Sequence, residues 1–114
     1  MRVRAFLWLC CVVPLPALAC DYPPAKPEIP DGKTATNEQM MTAQGAVKDY
    51  VAKMEAYVAC VDQEVESLGD TVTEAQRNVQ VQKHNAAVDE MTAVADQFNA
   101  EVRAFRDAEE DKKH

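Results

Sequence analysis

The sequence predicts an all-α protein: an antiparallel two-helix, coiled-coil-like hairpin with an extended Pro-rich N-terminal arm clipped to it by a disulfide. Three observations predict this. Apolar residues recur with heptad spacing in two long proline-free segments, and a short break containing Gly69, Asp70 and Thr71 separates them. Four of the six prolines gather between Cys20 and Lys33.

The chain opens with Arg2 and Arg4, an apolar run from Ala5 to Val13, then Pro14, Pro16 and the small-x-small triplet Ala17-Leu18-Ala19. That is the charged, apolar, cleavable order of a secretory signal, so residues 1–19 are expected to be removed after Ala19. A transmembrane anchor would need roughly 20 apolar residues, more than twice this run. Another alternative is acylation of Cys20, the residue after the cleavage site, which would anchor the protein to a membrane. The lipoprotein signal prefers Leu three positions before its cysteine, and Ala17 holds that place here.

Cleavage removes Cys10, Cys11 and Trp8 and leaves Cys20 and Cys60 in an oxidising compartment, periplasmic or secreted, where a disulfide is the expected state. It also removes two arginines and no acids, taking the formal charge from -7 to -9. Such a balance argues against nucleic acid and anionic lipid surfaces, both of which recruit basic patches. The remaining residues make one small domain, near the lower size at which a single core suffices.

From Cys20 to Thr36 the chain reads as an extended arm, because Pro23, Pro24, Pro27 and Pro30 fix φ and remove backbone donors. Pro30-Asp31-Gly32 reads as a turn. Thr36 with Gln39 forms a capping box that starts the first helix at about residue 37, and Gly69 supplies its stop after residue 68. Thr71 with Glu74 and Thr73 with Gln76 offer two overlapping starts for a second helix, expected over about 74–108, with 109–114 a charged tail.

In the first helix Met40, Val47, Met54, Val61 and Leu68 form a d row, with Val51, Val58 and Val65 as the a row. In the second, Val81, Val88, Ala95 and Val102 form the a row and Met91, Phe98 and Phe105 the d row. A short loop makes the helices antiparallel, so facing residues have numbers summing to about 142. This pairs Met54 with Val88, Val51 with Met91, Val47 with Ala95, Met40 with Val102 and Val61 with Val81. Toward the tip Val65 faces Arg77 and Leu68 faces Glu74, so fraying or a change of register is expected there.

The flanks differ. The e rows are largely polar, with Lys48, Glu55 and Asp62 facing Asn78, Asn85, Thr92 and Asn99. The g rows are apolar or aromatic, with Ala43, Tyr50 and Tyr57 facing Ala87 and Val94, and Cys60 lies on that side. The arm can reach: the helix rises roughly 35 Å from residue 37 to Cys60, while the arm spans up to about 50 Å as polyproline II. Tyr22 and Ile29 are then expected to pack on this flank as a third layer. Tyr50, Tyr57 and Val94 are also the candidate partner-facing surface.

Reaction chemistry is sparse. His84 falls on a d position without a second His, Cys or carboxylate at i+3 or i+4, so it reads as a seam residue and not a metal ligand. Asp62, Glu64, Glu66, Asp70 and Glu74 crowd the tip but lack the alternating Asp/Asn and central Gly of a calcium loop. Ser67 is the only serine, and no Gly-rich phosphate loop is present. No enzyme, cofactor or metal site is expected.

The string Cys-Asp-Tyr-Pro-Pro-x-x-Pro-x-Ile-Pro-Asp-Gly from Cys20 to Gly32, followed by Ala35-Thr36, Met40, Val47-Lys48, Tyr50-Val51 and Tyr57-Val58-Ala59-Cys60, resembles a group of short uncharacterised exported proteins of Gram-negative bacteria. The resemblance covers mainly residues 20–60. It implies export and supports the Cys20 and Cys60 pairing, and it carries no activity. The expected role is a non-catalytic binding or structural module whose partner is another protein or a second copy. The alternatives are a four-helix-bundle homo-oligomer and a small-ligand or metal carrier in the periplasm.

Overall fold

A computed structural model describes residues 20–114 apart from Pro24; the signal segment expected at 1–19 lies outside the described residues. Helix α1 spans Asn37–Ser67, a single 3-10 turn covers Gly69–Thr71, and helix α2 spans Glu74–Lys113. Thr36 caps α1 as expected: its hydroxyl accepts from Gln39 N at 3.1 Å while Gln39 Oε1 accepts from Thr36 N at 2.9 Å. The helix stops at Gly69, whose φ of 51° lies in the left-handed region that costs glycine least.

Of the two overlapping starts for α2, Thr73 with Gln76 forms the complete box, at 3.1 and 2.8 Å. Thr71 stays in the 3-10 turn and donates its hydroxyl to Leu68 O at 2.6 Å. The expected charged tail is instead helical through Lys113. Residues 109–113 contain no Gly or Pro, Lys112 pairs with Glu109 at 2.8 Å, and the two terminal lysines complement the helix dipole, so nothing stops the helix earlier.

The hairpin is antiparallel and close to the expected register: Asp62 Oδ1 accepts from Gln80 Nε2 at 2.7 Å and lies 3.3 Å from His84 Nδ1, pairs whose numbers sum to 142 and 146. The faces are rotated from the expected seam. On α1 the buried residues are Met40, Ala43, Val47, Tyr50, Met54, Tyr57 and Val61, which are the d and g rows. On α2 Ala87 and Val94 are buried, while Val81 and Val88 of the anticipated a row are 49% and 39% exposed. The pairings of Met54 with Val88 and Val61 with Val81 are therefore corrected: Ala87 and Val94 join the buried cluster instead.

The cause is the third layer. A bare two-helix seam would centre on a and d, but the arm covers the g side, and the greatest removal of apolar surface from water then lies among d, g and arm together. Cys20 and Ile29 pack against that cluster and Pro23 is buried. The arm follows α1 backwards: Pro23, Ala25 and Pro27 lie by Ala46, Tyr50 and Lys53, and Glu28 and Pro30 by Thr42 and Ala43.

Candidate functional site

The arm is held at both ends. At its N-terminal end Cys20 and Cys60 form the expected disulfide, with a Cα–Cα separation of 5.6 Å. At the other end Asp31 organises the turn: its carbonyl accepts from Ala35 N at 2.9 Å and its carboxylate from Lys33 N at 2.9 Å. This presents Gly32 to α2, where its N–H donates to Glu101 Oε2 at 2.6 Å. Gly32 is buried so closely that a Cβ would run into the Glu101 carbonyl and approach Phe105 N.

Between these anchors, Tyr22 meets Tyr57 edge to face with ring centroids 5.0 Å apart. Lys26 Nζ lies 2.7 Å from Glu90 Oε2, an oxygen closed off from solvent. Hydrogen bonding to that carboxylate, reinforced by its charge, raises the Lys26 pKa above its ordinary value. Burial, followed by the nearby Tyr22 and Glu90, pushes the Tyr50 phenol up from its usual range, with Lys26 opposing.

This arrangement corrects one expectation. Tyr50, Tyr57 and Val94 are 5%, 8% and 3% exposed, so they belong to the core and do not form a partner-facing surface. Their flank needed a cover, and the chain supplies it from its own arm.

The cover ends at the disulfide, and the flank continues beyond it. Past Cys60 the two helices enclose an open groove of about 330 Å³ floored by Val61, Val65, Leu68, Ala75 and Val79, with Glu64 and Lys83 on its rim. Leu68 and Val79 are exposed. The fraying expected at the tip is not seen: α1 runs to Ser67, α2 starts at Glu74, and a groove lies between the two intact helices. In the sequence, the segment from Asp62 to Lys83 carries Asp62, Glu64, Glu66, Asp70 and Glu74 against Arg77 and Lys83.

His84 Nδ1 approaches Asp62 Oδ1 at 3.3 Å, on the same oxygen that accepts from Gln80. The Gln80 hydrogen bond above all holds the Asp62 carboxyl below the usual aspartate range; desolvation opposes it, and the hydrogen bond and charge of His84 add to the lowering. Glu64 stands beside the disulfide, with a carboxylate oxygen and both sulfurs within 4.8 Å of one another. With the sulfurs bonded together, neither is a thiolate that a cation could use. The same bond occupies the sulfur that an acyl thioether on Cys20 would require.

No protein-family model, curated protein or solved structure matches the chain. What can be said of its chemistry therefore rests on these residues. The disulfide points to a compartment outside the reducing cytosol. Among the described residues no helix is long and apolar enough to cross a membrane.

Sequence reasoning missed the Lys26–Glu90 pair and the docking of Gly32 on Glu101. A signal for the second was present: Glu101 follows Ala87 and Val94 at seven-residue intervals, a carboxylate in line with two apolar residues. The Asp31-Gly32 turn offered the donor for it, but neither residue indicates by itself that the other is its partner.

Proposed function

We propose that the chain is an exported, non-catalytic binding module, freed by cleavage after Ala19 into an oxidising space such as the periplasm, and that it docks a partner polypeptide at the hairpin tip. One observation carries this reading: the apolar groove that continues the arm-covered flank past Cys60, in a segment from Asp62 to Glu74 rich in carboxylates. The segment that suits it combines apolar side chains with Lys or Arg, since apolar burial supplies affinity and opposite charge supplies steering. The arm already shows this chemistry on the same flank, placing Ile29 against the core and Lys26 on Glu90.

The hydroxyl and imidazole that acid–base or nucleophilic chemistry would draw on are engaged in structure. Ser67 donates its hydroxyl to Glu64 O at 2.7 Å at the end of α1, and His84 leans on Asp62. The test is site-specific photocrosslinking in the periplasm, with the probe at Val79 in the groove and, as control, at Ala25 on the arm. Adducts are expected at Val79 alone, and they should diminish as salt is raised. Equal labelling at the two positions, or none at Val79, would remove the basis for the reading.

A further inference from the structure

We infer that, once the disulfide is reduced, Cys20, Cys60 and Glu64 form a site for a thiophilic divalent cation such as zinc, which then replaces the disulfide as the clip of the arm. The inference does not depend on a partner in the tip groove. One oxygen of the Glu64 carboxylate and the two sulfurs all lie within 4.8 Å of one another. Cys60 and Glu64 stand four residues apart on α1, so their side chains leave the same face one turn apart. Cys20 arrives from the arm.

The Glu64 carboxylate has no other task in the fold. Among the described residues it enters no hydrogen bond or ion pair, whereas its backbone carbonyl accepts from Ser67 Oγ at 2.7 Å. A carboxylate makes no bond to a disulfide. Beside two thiolates and a dication it is the third donor. Two soft sulfurs and one oxygen suit zinc and disfavour calcium and magnesium, which take oxygen ligands throughout.

The oxidising compartment makes the disulfide the resting state, and a dithiol opens the site. That dithiol gives two electrons and two protons: its own sulfurs join in a disulfide while the Cys20–Cys60 bond breaks to two thiols. Zinc then displaces both thiol protons, and the two thiolates balance its charge with the carboxylate alongside. Tetrahedral zinc at about 2.3 Å from each sulfur holds the pair about 3.8 Å apart. Side-chain rotation reaches that separation from a Cα–Cα distance of 5.6 Å. Tyr22 on Tyr57, Lys26 on Glu90 and Ile29 on the core favour the seated arm without any help from sulfur, so metal binding and closure of the arm become one event.

Cobalt(II) titration of the exported chain tests the site, after reduction and removal of the reductant under argon. One equivalent should bind with an intense thiolate-to-cobalt charge-transfer band, zinc should bleach it by binding more tightly, and excess magnesium should leave it unchanged. The oxidised chain should show no band, and Cys60→Ser should lose it. Glu64→Gln keeps both sulfurs, and it should weaken binding at least ~10-fold, the smallest effect seen even for residues that only support a ligand. A reduced chain without the band up to about 0.1 mM free cobalt, or an equal band in Cys60→Ser or in the oxidised chain, overturns the inference. A Glu64→Gln chain that binds as tightly as the parent and differs only in how readily its disulfide is reduced would tie the carboxylate to the disulfide, and would overturn it equally.

Discussion

Two residues hold positions that their chemistry makes hard to replace. Gly32 brings its backbone against the Glu101 carbonyl, so Gly32→Ala must push the turn off α2 and lengthen the 2.6 Å bond to Glu101 Oε2. Overpacking of this kind costs about 1–3 kcal/mol, which should appear as a lower midpoint in urea denaturation with an unchanged slope. Asp62 carries a pH signature. Its folded pKa is lowered, first by Gln80 and then by His84, so the stability it contributes is present above the ordinary aspartate range and lost as pH falls through the lowered value. In Gln80→Ala the Asp62 carboxyl should titrate at higher pH, closer to an ordinary aspartate, as read by NMR of its side-chain carbon.

At the scale of elements, each helix start is decided by a local hydrogen-bond pair. Thr36 and Thr73 close full capping boxes, and Thr71 bonds only within the 3-10 turn. Thr36→Ala and Thr73→Ala should each cost about 1 kcal/mol in thermal or urea melts, and Thr71→Ala clearly less; equal effects at Thr71 and Thr73 would contradict the observed start. Element boundaries were legible in the sequence because capping boxes, Gly69 and the proline cluster act within a few residues of themselves. The C-terminal end was not, since the charged residues 109–113 suit a solvated tail and a solvated helix equally well until the Glu109–Lys112 pair and the dipole are weighed.

For the whole molecule the disulfide joins residues 40 apart and closes the arm over the tyrosines. A loop of that size stabilises by about 4 kcal/mol in the chain-entropy model, a large share for a domain this small. Reduction by a dithiol, or Cys60→Ser, should lower the melting temperature strongly and free the arm up to its Gly32 anchor. A chain made from Cys20 onward lacks Trp8 and leaves tyrosine as the fluorophore, so the change in iodide quenching reports on the covered flank above the signal of the exposed Tyr22. Quenching of Tyr57 and Tyr50 should rise on reduction, and an unchanged signal would mean that the arm stays seated without its clip.

The sequence by itself determined the helices and their caps, the antiparallel register, the extended arm and the pairing of Cys20 with Cys60, all of which follow from periodicity, turn chemistry and the count of cysteines. Only the tertiary structure decided which stripe of each helix became the core. Heptad spacing marks two apolar rows beside d without saying which one will be covered. The arm chose the g row by lying on Tyr50 and Tyr57, and that choice placed Val94 inside and left Val81 and Val88 facing water. The physical reason is that burial is a property of three surfaces meeting, whereas periodicity is a property of one helix at a time.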